Sequence, residues 1–131
     1  MFSHIMVGAS DIEASKKFYD AALGALGIGP GVANPSPTGV QRYFYMTPTG
    51  IFAITQPLDG NPATGANGGT IGFSVADAAQ GDAWHAAGLA AGGTDCEDAP
   101  GIREGSTGAM YLAYLRDPSG NKICALHRIA S

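Results

Sequence analysis

The chain has 131 residues, and 11 acidic against 7 basic side chains leave a formal net charge of −4. That length suits one domain, and 45% hydrophobic against 14% charged residues provides a buried core rather than a disordered chain. A mild negative charge with no basic cluster argues against nucleic acid as a partner, and no apolar run approaches the ~20 residues of a membrane span.

In chain order, residues 3–9 read as a strand, with Ile5 and Val7 on one face and His4, Met6 and Gly8 on the other. Asp11 then caps a helix whose Ile12, Ser15, Phe18, Tyr19, Ala22, Leu23 and Leu26 fall at helical spacing, and glycine ends it. A short strand is expected near 40 or within 28–33. Tyr43–Met46 forms an apolar strand that turns at Pro48–Gly50 and returns through 51–56. Residues 57–68, rich in Gly, Pro, Asn and Asp, read as a linker. A second strand at 70–76 sets Ile71, Phe73 and Val75 against Thr70, Gly72 and Ser74. The second helix, about 77–91, is alanine-rich with Ala78, Trp84, Ala87 and Leu89 as its apolar positions. A short strand near 94–97 precedes residues 97–108, which read as a long loop of the kind that caps a binding site. An apolar strand then enters Asp117-Pro118-Ser119-Gly120, and 122–128 returns from it.

These elements repeat. A shift of 66 residues lays Ser3–Asp11 on Gly69–Asp77, Phe18 on Trp84 and Gly27 on Gly93. A shift of 70 lays Tyr43–Gly50 on Ala113–Gly120. The chain is therefore read as α+β, two β-α-β-β-β modules of about 1–56 and 69–131. Its opening residues lack a basic stretch leading into an apolar one, so no leader is expected. Cys96 and Cys124 sit outside any C-x-x-C spacing, which points to free thiols in a reduced, cytoplasmic protein.

Two such modules, the Asp-Ile-Glu-Ala-Ser-Lys-Lys-Phe-Tyr-Asp helix at 11–20 and Asp117-Pro118-Ser119-Gly120-Asn121 resemble the vicinal oxygen chelate superfamily. That group includes glyoxalase I, extradiol dioxygenases, fosfomycin-modifying enzymes and bleomycin-resistance proteins. The resemblance implies a cupped, barrel-like mixed sheet with helices on its convex side. In metal-using relatives it also implies ligands from the first and last strand of each module, which polarise a substrate oxygen through the metal. Carried over residue by residue, those positions here hold His4, Thr70, Ala53 or Thr55, and Cys124. Ala53 corresponds to Cys124 only after a one-residue slip from the preceding hairpin. Two donors of four fall short of the three protein ligands of a catalytic metal.

The expectation is consequently no resident metal, with a divalent ion at His4 and Cys124, completed by a second chain, as the alternative. The leading reading is a homodimer that binds a small, partly apolar molecule in the cup. Its candidate contacts are His4, Tyr43, Tyr45, Thr55, Thr70, Ser74, Arg103 and Cys124. Arg103, and Arg42 in the analogous stretch of the first module, are the cations available to an anionic substituent. Two further readings are a metal-dependent lyase or dioxygenase and a sequestering protein without turnover. No nucleophile–base pair or paired carboxylate is apparent, so no catalytic residue is assigned. His127 alternates away from Cys124 and is expected on the opposite sheet face.

Overall fold

The computed structural model describes residues 1–129. The first module runs β1 (His4–Gly8), α1 (Ile12–Gly24), β2 (Val32–Ala33), β3 (Arg42–Thr47) and β4 (Gly50–Thr55). The second runs β5 (Ile71–Ser74), α2 (Ala78–Ala90), β6 (Thr94–Asp95), β7 (Gly101–Gly105), β8 (Gly108–Arg116) and β9 (Lys122–Arg128). The strands form two mixed sheets, ordered β1-β4-β3-β2 and β5-β9-β8-β6, with β7 also paired to β8. In each sheet the first strand lies parallel to the last, β1 on β4 and β5 on β9, and every other pairing is antiparallel. The duplicated α+β arrangement is as expected, but the sheets remain separate and close no barrel.

Both helices start as the sequence dictates. The Asp11 carboxylate accepts from the Ala14 amide, and Asp77 accepts from Gln80, each satisfying an amide of the first turn. The short strand of the first module is β2, at the end of the 28–33 stretch, and residues near 40 form none. Residues 97–108 are not one long loop. Alternating Ile102-Arg103-Glu104 form β7, hairpinned onto β8, so the irregular part shrinks to 96–100, where Glu97 has φ of 58°.

The buried stripe of α2 also differs from the apolar pattern. It consists of Gly81, Trp84 and Gly88, whereas Leu89 is exposed. The glycines are there because other groups occupy the space of a side chain. A Cβ on Gly81 would stand 2.1 Å from Tyr111 Cε1, and one on Gly88 would stand 2.4 Å from Leu115 Cδ1. The Phe18 ring from α1 lies against Gly88 and Gly93, so the helices approach through a notch. A single core results, holding Phe18, Tyr19, Leu23 and Tyr45 of one module with Trp84, Leu115 and Ile123 of the other.

Three tyrosine hydroxyls tie this core together by donating to carboxylates. Tyr45 on β3 reaches Asp20 on α1 at 2.8 Å, and Tyr111 on β8 reaches Asp82 on α2 at 2.7 Å. Tyr19 on α1 crosses to Asp117, in the turn between β8 and β9, at 2.6 Å. Burial, then the neighbouring carboxylate, raises the pKa of all three phenols above the usual value.

Two outcomes follow from this packing. Gly81→Ala should destabilise by about 1–3 kcal/mol in urea unfolding, because the clash with Tyr111 outweighs the ~1 kcal/mol that alanine gains over glycine in a helix. The second concerns alkali. The unfolded chain loses its phenol protons near pH ~10 while the folded chain retains them, so the unfolded state binds fewer protons as pH rises. The stabilisation from these tyrosines is complete below about pH 10 and is lost above it. Urea midpoints measured from pH 8 to 11 should fall at the alkaline end, and Tyr19→Phe should show a shallower fall.

Candidate functional site: an intermodule cleft and two open sheet faces

Strand register divides the side chains between the helix-covered and the open sheet faces. On the first sheet, Met6 pairs with Ala53 and Phe44 with Ala53, while His4 and Met46 both pair with Ile51. These residues share the open face, where Met46 is 58% exposed. On the second, Gly72 pairs with Cys124, and Cys124 with Tyr114. Ile71, Phe73, Ile123 and Leu115 face the helices, as their alternation requires. The parallel pairs also fix the correspondence of the two modules. Met6 and Gly72, equivalent by the 66-residue shift, lie opposite Ala53 and Cys124 respectively, so the one-residue slip is real.

The sheets leave a cleft of about 420 Å³ between β1 with β4 on one side and β5 on the other. Its walls are mainly apolar, with Ile5, Leu26, Ile28, Phe52, Ile71 and Phe73, and its polar groups include His4, Ser74, Thr47 and Thr49. The Phe52 and Phe73 rings meet edge to face at 5.3 Å between centroids, linking the two modules beside it.

The eight expected contacts do not converge on one spot. His4 and Ser74 line the cleft. His4 is exposed, and its Nδ1 lies 2.8 Å from Ser3 Oγ. Thr55 is on the open face of the first sheet opposite Gly8, and its hydroxyl donates to the Gln56 carbonyl at 2.8 Å. Thr70 is exposed just ahead of β5. Cys124 is on the open face of the second sheet and only 6% exposed, and Arg103 stands on β7 on the same side. The Arg103 guanidinium donates to the carbonyls of Ala99 at 2.9 Å and Asp98 at 3.3 Å, drawing 96–100 back onto the strand.

Tyr43 and Tyr45 are a correction. Their register partners, Ile54 and Phe52, belong to the helix-side core, so both rings point away from the open face. Tyr45 is fully buried, and Tyr43 donates to the Glu13 carboxylate at 2.6 Å. Phe44 and Met46 take the open side instead. The segment Tyr43-Phe44-Tyr45-Met46 is apolar on both faces, so alternation alone cannot say which pair turns inward; the acceptors Glu13 and Asp20 on α1 decide it. Burial works against the Asp20 charge, but bonds from the Gly31 amide, Lys16 and Tyr45 outweigh it and hold its pKa below the usual value.

Two residues near Cys124 join it on the second open face. Lys122 lies 5.0 Å from the Tyr114 ring centroid and pairs with Glu97. Strand alternation from Leu112 places Tyr114 on this face, a signal present in the sequence. Burial raises the Cys124 thiol pKa, and the Lys122 charge offsets this only in part. His127, the register partner of Tyr111, is on the helix side as expected.

The glyoxalase/bleomycin resistance protein/dioxygenase family model matches residues 1–125. The chain belongs to this superfamily. A glyoxalase/bleomycin resistance protein from Albidiferax ferrireducens T118 is 64% identical, covering 98% of this chain and 99% of its own, with a TM-score of 0.92. A glyoxalase/bleomycin resistance protein/dioxygenase family enzyme from Burkholderia phytofirmans PsJN is 19% identical over 97% of this chain and 98% of its own, with a TM-score of 0.70. A lactoylglutathione lyase from Agrobacterium tumefaciens is 22% identical over 96% and 92%, with a TM-score of 0.61. These last two share the fold. No curated protein matches the chain.

The residues at the superfamily's metal positions do not make a three-ligand set in this chain. Among the described residues, no three of His, Cys, Asp and Glu lie together as a metal site would require. His4 and Cys124 supply one donor each, and Ala53, Thr55 and Thr70 supply no carboxylate or imidazole. Also among the described residues, no helix is long and apolar enough to cross a membrane.

The two thiols should differ in reactivity. Cys96 is partly exposed whereas Cys124 is buried with a raised pKa. Iodoacetamide at pH 8 followed by peptide mass analysis should label Cys96 first, with Cys124 at least tenfold slower until urea unfolds the chain.

Proposed function

We propose that this protein binds a small, partly apolar molecule in the cleft between its two sheets, without a resident metal. The observation that carries this reading is the cleft itself. Its volume of about 420 Å³ falls in the range of small-molecule sites, and apolar walls with a few placed polar groups are their usual lining. His4 and the Ser74 hydroxyl orient the ligand, while Phe52, Ile71 and Phe73 supply apolar contact. The donor set at the superfamily's metal positions supports the metal-free part, since neither β4 nor β5 offers a second strong ligand beside His4.

A homodimer is part of the same proposal. The open face of the first sheet presents Met6 and Met46, 39% and 58% exposed, beside Phe44. An apolar sheet face left to water is the kind of surface that a second chain covers. Free Cys96 and Cys124 support a reduced, cytoplasmic setting.

N-phenyl-1-naphthylamine, a neutral fluorescent probe, tests the cleft. It should bind saturably near one per chain, and Ser74→Phe should weaken it at least tenfold with an unchanged unfolding midpoint. Probe binding that is absent, or indifferent to Ser74→Phe, would refute the cleft. Metal analysis of the purified protein should find far less than one ion per chain; a stoichiometric ion lost in His4→Ala or Cys124→Ala would overturn the metal-free reading.

A further inference from the structure

The chain is acidic overall, yet the open face of its second sheet is cationic. Arg103 and Arg128 lie on either side of Met110, and Arg116 pairs with Lys122 at the opposite end of the strands. Four of the seven basic side chains therefore share one sheet face. Among the described residues, carboxylates pair with one of them and leave the three arginines to neutral oxygens. Arg103 donates to two backbone carbonyls, Arg116 to the Gly120 carbonyl and Arg128 to the Thr107 hydroxyl. Among the described residues, Lys122 alone of the four has an acidic partner, Glu97, which is about half exposed.

Strand register carries the edge of the cleft toward this charge. Gly72 lines the cleft and is also the register partner of Cys124, which in turn lies beside Tyr114. Glycine and a small thiol make up that row until the Tyr114 ring, where Lys122 lies 5.0 Å from the ring centroid. Two strand spacings, about 10 Å, separate Gly72 from Tyr114. On the far side the Arg103 side chain folds back over Gly101, its Nη1 3.5 Å from where a Cβ there would stand.

We propose that the ligand of the cleft is a carboxylate, its apolar body between the sheets and its head group held beside Tyr114 by Lys122 and Arg103. This rests on the cleft reading above and adds the ligand's chemical class. The guanidinium offers paired N–H donors that match a carboxylate, and the face is only partly screened from water, so a charged head keeps much of its solvation while it gains two cations. Glu97 occupies Lys122 in the free protein and competes with the ligand for it. A second copy of the chain fits this face less well, because the equivalent face of the first module is apolar with Arg42 and carries no acid to meet the cations.

The test is calorimetric binding of arylalkanoates, phenylacetate to 5-phenylpentanoate, each against its neutral amide. The carboxylates of best-fitting length should bind at least tenfold tighter than their amides. Lys122→Met and Arg103→Met should each shrink that ratio at least threefold and leave amide affinity unchanged, while Glu97→Gln should widen it. Equal binding of acid and amide in the parent protein, or loss of both in the variants, would overturn the carboxylate head but leave the cleft standing. No binding of either series, together with no N-phenyl-1-naphthylamine binding, would remove the cleft and this inference with it. If Lys122→Met or Arg103→Met instead changed the oligomeric state without altering the ratio, the face would be an interface between copies, and the inference would be wrong.

Discussion

The position of one module against the other depends on a buried carboxylate, Asp117. It is 3% exposed, and such a charge is tolerated only when its lone pairs are filled. They are filled from both modules. Tyr19 of the first helix and the Asn121 side chain donate to Oδ2, and the amides of Ser119 and Asn121 donate to Oδ1. Asn121 also donates to the Gly8 carbonyl at the end of β1. A turn in the second module thus holds both the first strand and the first helix of the other. Ser119 Oγ, accepting from the Ser10 amide, adds to the same junction. Because the modules are joined here and through the helices, the sheets need not merge, and the edges of β1 and β5 stay apart as the walls of the cleft.

Close approach elsewhere is achieved by leaving side chains out. On α2 the absent side chains of Gly81 and Gly88 admit Tyr111, Leu115 and Phe18. On the open face, Gly72 lies beside Cys124, where a Cβ would come within 3.2 Å of the sulfur. The glycine content therefore has two separate physical uses, close packing against rings and a leucine on the helix side and against a thiol on the open side. Neither use needs a left-handed backbone. That conformation is reserved for points such as Gly27 and Gly92, which end the two helices.

The two faces of the sheets divide the polar chemistry between them. Facing the helices, phenols are matched one to one with carboxylates, and the pairs serve folding. Facing outward, arginines are matched with neutral carbonyl and hydroxyl oxygens, so their charge is retained. A net charge of −4 conceals this separation, because four of the seven bases share the second open face while the eleven acids are spread over helices, caps, turns and strands. Of the positions that the resemblance marks for metal ligands, His4, Ala53, Thr55 and Cys124 lie on the open side too, where methyl, hydroxyl and thiol groups accompany a single imidazole.

Much of this was legible from the residues alone. Paired caps, turns and apolar strands at constant offsets established the duplicated fold, because each is a local signal that survives without knowledge of its neighbours. Strand parity was legible wherever apolar and small residues alternate, as at Ile71-Gly72-Phe73-Ser74, and this placed His4, Ser74 and Cys124 on the open side. It failed at Tyr43-Phe44-Tyr45-Met46, where both faces are apolar and only the helix carboxylates choose between them. The β7 strand was hidden for a similar reason, since its pairing partner rather than its composition makes it a strand. Sequence by itself determined the module, its repetition and the poverty of metal donors, all carried by residue identity and spacing. Tertiary structure decided that the sheets stay apart around a cleft, and that Lys122 and Tyr114 gather near Cys124, because those contacts depend on register and packing between distant segments.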